Sequence, residues 1–262
     1  MARFCPLFSS SSGNSYLIGG GGEYILIDAG VSAKRLETAV KSVGVEPENI
    51  KAVFITHEHI DHISGTRVLC SRYKMPVYAT EGTLRYMEKH GHLAGVSAEV
   101  MPGGGVEIAG MSITNFATPH DSSESCGYRV TTTDGRRAAI ATDIGVVTDE
   151  VKNGICGCDL VVLESNHDIG MLRCGPYPYV LKQRILSDIG HLSNESCARE
   201  LPSLVEAGTT RIFLGHLSKE NNYPDLARLT SLGALHDAGM EENVDFVLSV
   251  NPPENSSPIV IF

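Results

Sequence analysis

The chain has 262 residues, 42% hydrophobic and 20% charged, with a formal charge of −10. Those proportions belong to a globule that can bury a sizeable core, and no apolar run is long enough for a membrane span. No signal peptide is expected at the N-terminus, and seven scattered cysteines fit reduced thiols in a cytoplasm better than a disulfide scaffold. The acid excess argues against broad coating of a duplex, which needs many Lys and Arg on phosphates; a grip on one strand end stays open.

In chain order, residues 4–8, 15–18 and 24–28 read as three short strands, with turns at Ser9 to Asn14 and Gly19 to Gly22. The four glycines are not a phosphate loop, because no Gly-Lys-Ser/Thr follows them. Ser32 can cap a helix from Ala33 to Val43, with Leu36, Ala39, Val40 and Val43 on one face and Gly44 ending it. Ala52 to Ile55 reads as a buried strand, and the segment from Ile63 onward can open a helix. Strands are expected at 76–79, 98–101, 106–109, 111–117, 127–133 and 137–142. The second half offers a strand from Asp159 to Leu163, helices near 178–188 and 194–207, and strands at 211–214, 245–250 and 258–262. With no low-complexity linker and no repeat, a single domain over 1–262 is expected, an α/β arrangement of two β-sheets flanked by helices.

Directly after the strand ending at Ile55 comes Thr56-His57-Glu58-His59-Ile60-Asp61-His62. Three imidazoles and a carboxylate on one strand-to-helix turn are ligands that borderline divalent metals prefer. The HExxH pattern does not fit, since it needs two His at i and i+4 of one helix. Here His57 and His59 alternate as on a strand while Asp61 and His62 point elsewhere, so two ligand sets imply two cations. Asp28, His120, Asp143 and His216 each end an apolar strand. Any one of them alone reads as a turn-forming polar residue. Cys156-Gly157-Cys158 lacks a second Cys pair and reads as structural.

The run His57 to His62 resembles the HxHxDH signature of the metallo-β-lactamase fold superfamily, and the four strand-end residues fit its remaining motifs in order. The resemblance implies an αββα sandwich. It implies His57, His59 and His120 on one metal, Asp61, His62 and His216 on the other, Asp143 bridging them, and Asp28 supporting the metal loop from behind. Two such cations share a hydroxide that serves as nucleophile near neutral pH. Zinc and manganese both suit these ligands, and iron is acceptable.

Leu163-Glu164-Ser165-Asn166-His167-Asp168 and Gly190-His191-Leu192-Ser193-Asn194 resemble the Glu and His motifs of nucleases in this superfamily. With Phe8 to Ser15 and Leu214 to Asn222, they are similar to the YycJ (WalJ)-like family of bacterial metallo-hydrolases. That likeness implies 5′→3′ exonuclease activity on DNA, with a place in mismatch repair. Asp61, His191 and Glu164 are then the catalytic groups, His191 as proton donor or phosphate contact and Glu164 orienting it. Nucleic acid is the implied partner, DNA ahead of RNA, and no membrane. Ser11, Asn14, Asn166, His167, Ser218 and Asn222 are candidate substrate contacts, while Lys182 and Arg184 read as a solvated basic face. The intervals from His120 to Asp143 and from Asp143 to His216 are too short for the arm of tRNA-processing relatives or the cap of RNase J-like ones. A thioesterase or cyclic phosphodiesterase on the same site is the alternative. A non-catalytic regulator is disfavoured by the full ligand set.

Overall fold

The computed structural model describes residues 1–254 and 258–262. Two hairpins open the chain: β1 (Arg3–Ser10), β2 (Gly13–Gly20) and β3 (Glu23–Ile27). Then come α1 (Ala33–Ser42), β4 (Ile50–Phe54), α2 (Ile60–Ile63), α3 (Thr66–Tyr73), β5 (Val77–Ala79), α4 (Glu81–Lys89) and β6 (Ala98–Val100). The second half begins with β7 (Val106–Ile108), β8 (Met111–Ala117), β9 (Cys126–Thr131) and β10 (Arg137–Ala141). It continues through α5 (Asp149–Ile155), β11 (Leu160–Glu164), α6 (Ile169–Cys174), α7 (Tyr179–Ile185) and α8 (Asn194–Glu206). The chain ends with β12 (Arg211–Gly215), α9 (Pro224–Asp237), β13 (Val247–Val250) and β14 (Val260–Ile261).

Among the described residues these strands form two mixed sheets of seven, ordered β14-β1-β2-β3-β4-β5-β6 and β13-β12-β11-β10-β9-β8-β7. Successive side chains on a strand face opposite ways, and the core is sorted accordingly. Ile25 and Ile27 of β3 pack between the sheets with Phe54, Tyr128, Ile140, Val162 and Phe213, whereas Leu26 faces outward with α1 residues Leu36 and Val40. On β11, Val162 faces inward while Val161 and Leu163 meet Leu201 of α8 and Leu235 of α9. Burial on both faces explains why these strands are continuously apolar. The expected αββα sandwich is the observed one.

Several local expectations change. Ser9, Ser10, Gly13 and Asn14 belong to β1 and β2, and only Ser11 and Ser12 form the turn. Ser32 stands at the N-cap of α1 but its side chain caps nothing, while Gly44 ends that helix at φ 77°. The helix expected from Ile63 starts earlier, at Ile60, and resumes as α3. β9 stops at Thr131 because the Thr132 hydroxyl turns the chain onto Asp134. β13 starts late because the Asp245 carboxylate closes a turn on the Glu241 amide. Helices α4, α5, α6 and α9 had no counterpart in the sequence reading. No helix among the described residues is long and apolar enough to cross a membrane.

Candidate metal centre

β3, β4 and β5 run parallel, as do β10, β11, β12 and β13, so their C-terminal ends open on a common edge. That edge is where α/β sheets place their chemistry. Asp28 follows β3, His57 and His59 follow β4, Asp143 follows β10, and His216 follows β12. Asp28, Asp143 and His216 adopt left-handed backbone, with φ of 61°, 57° and 55°. Such a conformation costs a residue with a Cβ about 1–2 kcal/mol, and it concentrates at functional sites. Gly30 has a different reason to be glycine. A Cβ there would stand 1.7 Å from the Asp61 carbonyl oxygen, so the absent side chain lets the Asp61 turn close against β3.

Three ring nitrogens face one another: His57 Nε2 is 3.0 Å from His59 Nδ1, which is 3.2 Å from His120 Nε2. The outward nitrogens of two of them are occupied, His57 Nδ1 by the Thr56 hydroxyl at 3.0 Å and His120 Nδ1 by the Gly190 carbonyl at 3.1 Å. Lone pairs are thereby left toward the common centre. Beside them stands a second group, with His62 Nε2 at 3.6 Å and His216 Nε2 at 3.8 Å from Asp61 Oδ2. Asp143 lies between the two groups. Its Oδ2 is 3.2 Å from His62 and 2.8 Å from His216, and its Oδ1 is 3.8 Å from His120. Neutral imidazoles and ionised carboxylates converging in this way fit divalent cations. The structure brings all seven candidates together in one cluster of overlapping groups.

Charge balance favours that donor state at His57, His120 and Asp143. Burial, and then the neighbouring His62, push His57 well below its ordinary pKa, and burial also lowers His120. Burial alone would raise Asp143, yet His216 and His62 hold it well below the usual carboxylate range. Asp28 is fully buried. Its carboxylate accepts from the Thr56 amide at 2.8 Å, from the Thr56 hydroxyl, and from His62 Nδ1 at 2.7 Å. One carboxylate thus orients His62 directly and His57 through Thr56. Burial disfavours the imidazolium of His62, but Asp143, Asp28 and Asp61 together raise it well above its ordinary value. Thr56 was missed in the sequence. Its signal was available: a polar residue at the end of an apolar strand, immediately before the cluster.

His191 donates from Nδ1 to Glu164 Oε1 at 2.8 Å and stands 3.7 Å from Asp143 Oδ1. The other Glu164 oxygen accepts the amides of Ile144 at 2.8 Å and Leu192 at 3.1 Å. A single buried carboxylate therefore ties the Asp143 turn to the His191 turn, and His191 Nε2 has no hydrogen-bond partner among the described residues. Burial opposes the imidazolium, but Glu164 and Asp143 outweigh it and lift His191 to about 9. His59, Asp61 and His191 are the members of the cluster that reach the surface, flanked by exposed Ile60 and Ile189.

The expected substrate contacts divide. Ser11 is exposed on its turn, and Ser218 borders a cavity beside the centre. Asn14 is instead buried beneath the cluster, its amide on the Ser10 carbonyl at 3.0 Å and beside His62 Nε2 at 3.1 Å. Asn166 donates to the His216 carbonyl, and Asn222 donates to the carbonyls of Ser165 and Asn166 and exchanges amide bonds with Asn194. Those two side chains brace the loops carrying Glu164, His191 and His216. His167 is buried, and burial takes its imidazole down to about 4. Asn14, Asn166 and His167 are enclosed, whereas Asn222, only 4% exposed, borders the same cavity as Ser218. Cys158 is buried with its thiol pushed up to about 11 by burial, and Cys156 is exposed, which suits a structural reading.

A family model described as the beta-lactamase superfamily domain matches residues 23–216, a span from the start of β3 to His216. The chain belongs to that superfamily and is a metal-dependent hydrolase of its class. Exodeoxyribonuclease WalJ of Streptococcus pneumoniae is 37% identical over 261 residues, covering 98% of this chain and 97% of that protein. Exodeoxyribonuclease YycJ of Bacillus anthracis is 36% identical over 259 residues, covering 98% of each. Within the superfamily the chain is therefore a WalJ/YycJ-like protein. In fold it is similar to the metallo-β-lactamase fold protein YhfI of Bacillus subtilis, with a TM-score of 0.71 at 19% identity over 97% of this chain and 98% of that one.

Proposed function

We propose that this protein is a cytoplasmic single-domain nuclease that hydrolyses DNA from a 5′ end, in the service of DNA repair. The observation that carries the reading is the Glu164–His191 pair set against the Asp143 side of the ligand cluster. The names of the two relatives, similar over nearly their whole length, support the choice of substrate. His57, His59 and His120 would hold one cation and Asp61, His62 and His216 a second, with Asp143 between them. Zinc or manganese is the expected metal, and iron is compatible. When bound, such a pair supplies Lewis acidity and an activated water near neutral pH.

The chain's own groups supply the rest. Glu164 fixes the tautomer of His191, so that Nε2 meets the phosphate or its leaving oxygen. In the metal-free protein Glu164 favours the protonated ring, and a ring so held suits donation to the departing 3′-oxygen. The reacting groups sit at an open edge. Of the nearby cations, Lys182 on α7 donates to the carbonyls of Arg173 and Gly175, and Arg35, which borders a cavity with Lys219, is paired with Glu254. Arg184 is itself paired with Asp121, the residue after His120.

The test is incubation of metal-loaded protein with 5′-end-labelled single- and double-stranded DNA and RNA, under zinc, manganese and iron in turn. Release of labelled mononucleotides before internal fragments is expected from DNA. Inert DNA and RNA beside rapid thioester or cyclic-phosphate hydrolysis would transfer the site to a small-molecule substrate.

A further inference from the structure

A cavity of about 200 Å³ opens beside the candidate metal centre, between the segment after β12 and the segment after β13. Its inner end is Ser9, whose hydroxyl accepts the His216 amide at 3.0 Å, and Ser218, two residues beyond His216. Leu217, Pro224 and Pro253 give it apolar walls. Ligand sites for drug-sized molecules run about 300–1,000 Å³, so this one suits a single flat ring system.

Two features of its lining have no structural explanation. Tyr223 borders the cavity with 63% of its surface exposed, an arrangement that gives no return in folding. Asn251 also lines it, only 2% exposed, and among the described residues neither its amide nitrogen nor its amide oxygen has a hydrogen-bond partner. Buried amides are normally satisfied, and an orphaned one is unfavourable in the free protein. The neighbouring Asn222 shows the contrast, since its amide is spent on two backbone carbonyls and Asn194. Lys219, at the mouth, makes no ion pair among the described residues. It also borders an adjoining cavity of about 170 Å³ with Ser10, Ser12 and Arg35.

We propose that this cavity is a nucleobase pocket, taking the base of the nucleotide next to the scissile phosphate. The base stacks on Tyr223 between the apolar walls and sets its hydrogen-bonding edge on the Asn251 carboxamide. Lys219 takes a phosphate at the mouth. A carboxamide offers a donor and an acceptor side by side, and base edges present the matching pair, adenine most completely. Aromatic stacking is tolerant of sequence, as an exonuclease requires. The identity of the occupant rests on the nuclease reading above, but the pocket is tested separately from it.

The probes are free deoxyadenosine and thymidine, which lack a phosphate that bound cations could hold. Their binding to the metal-loaded protein is measured by calorimetry for wild type, Tyr223→Ala and Asn251→Leu. Each variant is expected to weaken nucleoside binding about ten-fold or more, and to raise the KM for strand cleavage by a similar factor. Asn251→Leu removes an amide without partners, so its melting temperature should equal or exceed that of wild type. The proposal is overturned if nucleosides do not bind wild type, or if they bind both variants as tightly. It is also overturned if Asn251→Leu lowers the melting temperature while keeping nucleoside affinity, because the amide is then structural. Nucleoside binding lost in the variants, alongside DNA and RNA that wild type leaves intact, sinks the nuclease reading and leaves the pocket standing.

Discussion

Replacing Asp28 by Asn isolates the orienting role of one buried carboxylate. Asn tolerates the left-handed backbone at φ 61° nearly as well as Asp, and its volume is the same, so neither strain nor a cavity confuses the result. Its carbonyl can still accept from the Thr56 amide, now bonded at 2.8 Å. Its amide nitrogen, however, would meet the donor at His62 Nδ1, which lies 2.7 Å from the present carboxylate. Two donors cannot face each other. The ring must lose its Nδ1 proton and carry one on Nε2, the atom that should offer a lone pair to a cation. Loss of a charge-assisted bond costs about 1.5–3 kcal/mol. Removing the orienting partner of a ligating His typically weakens metal affinity about 10–100-fold, which is roughly 1.4–2.7 kcal/mol. The two routes agree, so chelator competition should show that loss for one cation while the fold is retained. Asp28→Asn with wild-type metal affinity, set against a failing Asp28→Ala, would refute the reasoning and leave Asp28 as a turn former.

Asp143→Asn should keep the backbone at φ 57° yet lose the charge shared by both ligand groups, so elemental analysis should show both cations depleted. Two tightly held cations in that variant would reject the bridging role. His191→Ala should lower DNA turnover about 10²–10⁴-fold with metal content unchanged, and Glu164→Gln should lower it less. A p-nitrophenyl phosphodiester, whose leaving group needs no proton, should lose far less; equal losses would make His191 a phosphate contact. The metal-free protein should also respond to pH. His191 is raised to about 9 in the fold, so the stability it gains from Glu164 is fully present below its unfolded value near ~6.5 and is lost as pH rises through about 9. Melting curves of wild type and His191→Gln should therefore converge across that window; a constant gap would show that the pair contributes no titrating term.

The metal cluster was legible because four donors fall within one short turn, a density that needs no tertiary information. His120, Asp143 and His216 were legible only as a series, since each alone is an ordinary polar residue at a strand end. The misreadings share a cause. Ser9 and Asn14 look like loop residues by polarity, but they are strand residues, Ser9 buried to reach His216 and Tyr16 and Asn14 to reach His62. Asn166 and His167 looked available for the same reason, and they are enclosed. α9 escaped notice because Ala227 and Ser231 occupy its buried face beside Leu232 and Leu235, which blurs the apolar stripe. Polarity reports exposure well on the outer surface of a fold and badly beneath a catalytic centre, where polar groups are buried to hold others.

Left-handed backbone at Asp28, Asp143 and His216 has an evolutionary consequence. Glycine would relax all three turns, and at His216 it would remove about 1–2 kcal/mol of conformational cost. Selection for heat resistance alone, with no demand for hydrolysis, would therefore drift toward glycine there and leave a sturdier, inert sandwich. The bulky imidazole at φ 55° is thus a local cost in stability that the chain carries at the donor it aims into the cluster.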